Sequence, residues 1–187
     1  MITPTNEITS YGGKLAKFTW AANFANRDST RSLTKQPTCK TNARTTLGRT
    51  TSSAGVYSII CWGASDSNYA ISYRTSRLTV KPAIVAVTYT GPTSISSKKP
   101  VTLSAVLKMA SGSAIPDRIL TLKLGSGSGS QTCTTGKTSG KGAASCSITK
   151  VSYRKGKTTV AVMFAGDHTG SADFYVGGST TKAVTIK

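Results

Sequence analysis

The sequence predicts an all-β protein made of two tandem antiparallel β-sandwiches, each with one local disulfide, over residues 1–83 and 84–187. Three observations predict it. Apolar and polar residues alternate at period two along several short stretches, the pattern of strands with one buried face. Clusters of turn residues (SYGG, SSAG, ASDSN, TGPTS, ASGSA, AGDHTG) separate those stretches, and short strands closed by such turns suggest sandwiches. The four cysteines divide evenly, Cys39 and Cys61 in the first part, Cys133 and Cys146 in the second.

Taken in chain order, Phe18, Trp20, Ala22 and Phe24 fall on one side of KFTWAANF. Tyr69, Ile71 and Tyr73 alternate in NYAISYR, and Leu78 and Val80 in RLTV. Pro82 then breaks the ladder and Ile84 opens the second part, with no Gly/Ser spacer between them. Beyond it, Val101, Leu103, Ala105, Leu107 and Met109 alternate in VTLSAVLKM, Leu120, Leu122 and Leu124 in RILTLKLG, and Val160, Val162 and Phe164 in TVAVMF. GSGSGS at 125–130 follows a strand inside the second part and reads as a native loop.

The stretch GSGSGSQTCTTGKTSGKGAASC contains Gly136-Lys137-Thr138, which invites comparison with a phosphate-binding loop. That motif needs a glycine five residues before the Gly of Gly-Lys-Thr, with four residues between, so that successive N–H groups wrap the phosphates. Gln131 stands there instead, and no helix pattern follows. A tight turn on Ser139-Gly140 accounts for the stretch better. It makes a hairpin in which Cys133 lies opposite Cys146 as a non-hydrogen-bonded pair, about 4.5 Å apart at Cα and close enough to bridge. Gly140 then needs a positive φ.

Neither half holds a C-x-x-C, and the single histidine, His168, cannot complete a Cys/His zinc set in either. Two disulfides, Cys39–Cys61 and Cys133–Cys146, fit instead and imply an oxidising, extracellular setting. The start MITPTNEITS lacks the basic and apolar regions of a secretory signal, which for an extracellular chain implies a removed signal or, the reading preferred, a fragment of a longer protein. No apolar run approaches the roughly 18 residues of a membrane span.

Carboxylates are few. Glu7 is the only glutamate, and Asp28, Asp66, Asp117, Asp167 and Asp173 are scattered over turns and loops. A general acid/base pair or a triad has little to draw on. His168 beside Asp167 reads as an exposed turn rather than a Ser-His-Asp site. Asp66-Ser-Asn68 offers one carboxylate where calcium takes six to eight oxygens. Catalytic, cofactor and metal sites are therefore all expected to be none. Trp20 belongs to the core, and Trp62, which follows Cys61 on the opposite face, is the better candidate for an exposed ring.

Charge is the dominant chemical feature. The chain carries 24 Lys+Arg against 6 Asp+Glu, a formal +18, spread over both parts. A solvated, self-repelling surface is one reading, and attachment to an anionic polymer such as polysaccharide, cell envelope or nucleic acid is the other. Lys98, Lys99, Arg154, Lys155 and Lys157 are the best polyanion-binding candidates, being dense and flanking predicted strands. No nucleic-acid-binding motif accompanies them.

Residues 100–187 resemble a bacterial immunoglobulin-like repeat domain, on PVTLSAVL, IPDRILTLKLGSG, SCSIT around the second cysteine and TTVAVMFAGD. Residues 2–83 resemble the YGX-type repeat domains of bacterial surface proteins, on SYGGKLAKFTW, SAGVYSIICWGASDSNYAISY and RLTVKPA. Tyr11-Gly12-Gly13 departs from that pattern, where an acidic or polar residue commonly follows YG, and Arg74 to Arg77 is unusually basic. The resemblance implies immunoglobulin-like sandwiches in tandem, non-catalytic modules of secreted or cell-surface proteins. It implies a structural spacer or stalk first. A basic adhesion module is the alternative, and so is a subunit of an extracellular filament or capsid decoration that pairs with neighbouring copies of itself.

Overall fold

A computed structural model describes residues 1–25, 27–167 and 173–187. Among them the regular structure is β, apart from one 3-10 turn at Thr30–Ser32 capped by the Ser29 hydroxyl. The chain divides into two compact units, residues 1–83 with 171–174, and residues 84–170 with 175–187.

Unit 1 contains β1 (Ile2–Pro4), β2 (Glu7–Ser10), β3 (Trp20–Ala22), β4 (Thr38–Thr41), β5 (Thr45–Thr46), β6 (Arg49–Thr50), β7 (Gly55–Trp62) and β8 (Ser76–Lys81). Its main sheet has the order β2-β8-β7-β4, and β1–β3 and β5–β6 are separate two-stranded pairs. The alternation in β7 and β8 sends Ile59, Cys61, Leu78 and Val80 inward. Two apolar clusters result. Ala43, Ile59, Leu78 and Val80 pack with Leu15, Phe18 and Tyr57. Ile2, Leu33 and Cys61 pack with Trp20, Ala22, Phe24 and Ile71. Trp20 is thus a packing residue, and Trp62 is 42% exposed.

Two details of unit 1 differ from the alternation pattern. NYAISYR forms no strand. A single parallel bridge of Tyr73 to Ile2 holds it, with Ile2 N donating to Ser72 O at 2.8 Å and Arg74 N to Ile2 O at 2.9 Å. In addition, Tyr69 donates to the Asp28 carboxylate at 2.7 Å, and the Ala64 amide donates to Tyr73 at 2.8 Å. The extended segment thus keeps its period-two pattern, with Ile71 packed against the core, while pairing at one bridge only. The β2–β8 pairing is parallel, a register that no turn signal announces.

Unit 2 contains β9 (Val85–Tyr89), β10 (Ser94–Ile95), β11 (Val101–Met109), β12 (Thr121–Leu124), β13 (Gln131–Thr134), β14 (Ala143–Ile148), β15 (Gly156–Phe164) and β16 (Gly178–Ile186). They form a five-stranded sheet, β10-β16-β15-β12-β13, and a three-stranded sheet, β14-β11-β9. The β10–β16 pair is parallel and the others are antiparallel. Leu103, Ala105 and Leu107 from one sheet, and Leu122, Leu124, Val160 and Val162 from the other, are fully buried. At roughly 1.5–3 kcal/mol per large apolar side chain, this core is the main stabilising term of the unit.

The cysteines are bonded 39–61 and 133–146, in two different settings. Cys39 lies directly opposite Cys61 in the β4–β7 ladder, with Cα atoms 4.0 Å apart. The expected hairpin around Cys133 and Cys146 does not form. β13 pairs with β12, and β14 pairs with β11, so this bond joins the edges of two different sheets at a Cα separation of 5.8 Å. The chain turns one residue later than expected: the Gly142 amide donates to Ser139 O at 2.8 Å. Gly142, at φ +76°, is the left-handed residue, whereas Gly140 is not. A Cβ on Gly142 would overlap the carbonyl oxygen of Leu107, whose amide donates to Gly142 O at 2.8 Å. The glycine is required because the chain crosses there against β11.

Candidate functional site

The five basic residues named above come together at one end of unit 2. Three local arrangements bring them there. Lys98 N donates to Val151 O at 2.9 Å and Val151 N to Lys99 O at 3.0 Å, so the β10–β11 loop runs beside the β14–β15 loop. Val151 is fully buried and anchors that second loop, leaving Arg154 and Lys155 exposed. Lys157 enters β15 opposite Thr185 of β16, next to the end of that strand.

Two cations join them that the sequence did not single out. Lys187 follows β16, its amide donating to Ile95 O at 2.9 Å and its carbonyl accepting from Ser97 N at 2.8 Å. Lys150 lies in the β14–β15 loop, held by Gln131 of β13. Gln131 Nε2 donates to Lys150 O at 2.8 Å, while Oε1 accepts from Ser152 N at 2.7 Å and Tyr153 N at 3.3 Å. One amide side chain thus holds the basic loop's backbone at three residues, 150, 152 and 153. The crowding of Lys150, Arg154, Lys155 and Lys157 within eight residues was a usable signal for Lys150. Nothing in the sequence pointed to Gln131 or Lys187.

Beside this loop the GSGSGS segment closes over Tyr153. The Ser126 amide donates to the Tyr153 hydroxyl oxygen at 3.2 Å, and that hydroxyl returns a bond to Ser126 O at 3.2 Å. Gly125, at φ +83°, lets the backbone lie against the ring, where any Cβ would overlap it. Ser126 to Gly129 and Ser152 to Arg154 line an open, polar depression of about 320 Å³. Hydrogen bonds from Ser126, and then the Thr158 contact and the Arg154 charge, favour the phenolate and lower the Tyr153 pKa to about 8.

The described acids of unit 2 stand elsewhere. Asp167 accepts a two-pronged ion pair from Arg118, Nε to Oδ1 at 2.7 Å and Nη2 to Oδ2 at 2.8 Å. The Arg118 guanidinium also lies 5.3 Å from the Tyr175 ring. Asp117 is exposed at φ +58° on the same segment. These acids are near the Thr121–Met163 end of the sheet, not the Leu124–Val160 end where the cations gather.

The remaining candidates resolve into structural roles. Thr138 is buried, accepting from Arg118 N and donating to Ile115 O, so the Gly-Lys-Thr sequence is a packing element. Asp66 accepts from Asn68 N at 2.8 Å and from the Thr34 hydroxyl at 3.3 Å, a self-bonded turn. Among the described residues no group of three or more His, Cys, Asp or Glu side chains converges. His168 lies outside the described residues. Lys40 Nζ sits 5.9 Å from the exposed Trp62 ring. No described helix is long and apolar enough to cross a membrane.

Residues 1–79 match the family model of the MBG domain (YGX type). Among solved structures the chain is similar to that of "FdeC, a Novel Broadly Conserved Escherichia coli Adhesin Eliciting Protection against Urinary Tract Infections", at 17% identity and a TM-score of 0.38 over 96% of this chain. It spans 62% of the length of that structure's chain. No curated protein matches the sequence.

Proposed function

We propose that this chain is a non-catalytic spacer or stalk segment of a secreted or cell-surface protein, with each unit an immunoglobulin-like sandwich. The match of residues 1–79 to a YGX-type MBG domain carries this reading. Two supports stand beside it. Each unit holds its own disulfide, which suits an oxidising location and adds roughly 3 kcal/mol in the chain-entropy model. The buried apolar side chains of unit 1 pack against one another in two clusters, as a structural module requires.

Sedimentation velocity over a hundredfold concentration range, with limited proteolysis in parallel, tests the reading. A spacer stays monomeric throughout and resists cleavage until its disulfides are reduced. Concentration-dependent assembly would replace it with a subunit that pairs through its sheet edges.

A further inference from the structure

We propose that the basic end of unit 2, built from Lys98, Lys99, Lys150, Arg154, Lys155, Lys157 and Lys187 around the Ser126–Gly129 loop, is a binding site for a linear anionic polysaccharide. This goes beyond a spacer role and stands or falls separately from it.

The first ground is charge density. Seven of the thirteen cations in residues 84–187 gather in loops and strand ends that touch one another through backbone hydrogen bonds. The described acids of the unit lie at the other end of the sheet, paired with or next to Arg118. Like charges so assembled repel one another, and a fold that merely needed solubility gains nothing from concentrating them.

The second ground is preorganisation. Gln131 pins the backbone of residues 150–153, Val151 is buried beneath it, and the 98–99 loop is tied to the same residue. The cations therefore project from a fixed backbone, which lowers the ordering cost of binding.

The third ground is the kind of surface offered. The depression beside Arg154 is shallow, open and lined by hydroxyls, glycines and one phenol. Hydroxyl-bearing sugars with regularly spaced sulfate or carboxylate groups match such a lining. The large exposed apolar side chains, among them Ile8, Val56, Ile60, Trp62, Ile119 and Met163, lie outside these loops, so a bilayer finds no apolar foothold here. The one aromatic ring, Tyr153, is held against Gly125 and Ser126, which leaves no free stacking platform for nucleobases.

The test uses the whole oxidised chain and measures affinity for dextran sulfate, polygalacturonate, uncharged dextran and duplex DNA from 50 to 200 mM salt. Two triple variants with equal charge loss are compared. One is Lys150→Gln with Arg154→Gln and Lys155→Gln, and the other is Lys14→Gln with Lys35→Gln and Lys40→Gln in unit 1. All six side chains are exposed, and thermal melts verify folding. Binding to either anionic polysaccharide, but not to plain dextran, supports the site, and the tighter of the two names the anionic group. The unit 2 variant should then lose roughly tenfold or more at 50 mM salt and show a flatter salt dependence. The unit 1 variant should change by less than about threefold. Equal losses in both variants would mean diffuse attraction and overturn the site. So would no binding at 50 mM salt, and tighter binding to DNA than to either polysaccharide would overturn the choice of ligand.

Discussion

The Tyr153 phenol has a markedly lowered pKa, about 8, and the cause is local. The Ser126 amide points at its oxygen, Thr158 adds a hydrogen bond, and Arg154 adds a positive charge. Tyr89 is its counterpart. Burial raises that phenol to about 12, and its hydroxyl donates to Pro92 O at 2.9 Å. Absorbance at the phenolate band should therefore show one tyrosine ionising near pH 8, and the step should vanish in Tyr153→Phe. The linkage has a definite sign. Ionisation is easier in the fold than in the unfolded chain, where tyrosine titrates near ~10. The stabilisation relative to Tyr153→Phe is complete above that value and lost as pH falls through about 8. A single step near pH 10 would mean that the Ser126 loop does not close over the ring in solution. The sequence showed Tyr153 only as one aromatic among seven tyrosines; its partner loop lies 27 residues away, and no local pattern joins the two.

Among the elements, the β13-to-β14 connection separates what the pattern of side chains encodes from what it does not. Leu103, Leu107, Leu122, Val160 and Val162 were readable as core because period-two alternation reports which face is buried. It does not report which strand lies alongside. The short run of turn residues after Cys133 fits a hairpin within one sheet and a crossover between two sheets equally well. The fold takes the crossover, with β13 laid against β12 and β14 against β11. Gly142 marks the choice. Gly142→Ala should destabilise unit 2 by about 2 kcal/mol or more, combining a disfavoured φ with an overlap on Leu107 O. Gly140→Ala, whose Cβ would meet open space, should stay within about 0.5 kcal/mol in a denaturant titration. Equal effects would restore the simple hairpin. The candidate site was legible to a similar depth. Clustered Lys and Arg flagged five of its cations, whereas Gln131, which orders the loop, looks like any surface amide.

At the scale of the whole molecule, the formal charge of +18 is a property of composition, but the gathering of seven of the cations at one end of unit 2 is a property of topology. Strand ends and loops far apart in sequence meet there because β10 runs parallel beside β16 while β14 and β15 bracket a pinned loop. The two disulfides have a different reach. Each bond short-circuits the chain, across 22 residues in unit 1 and 13 in unit 2. At ~3.4 Å per extended residue, about 75 Å and about 45 Å of contour are withheld from any pulling force. A tether made of this chain would therefore have a length set by redox state. In a single-molecule stretching experiment the fully unfolded chain should be about 120 Å shorter in oxidising buffer than with reductant, and identical lengths would mean that the bonds do not form. For a segment that spaces one part of a surface protein from another, the disulfides would act less as supports for folding than as stops that limit how far the segment can be drawn out.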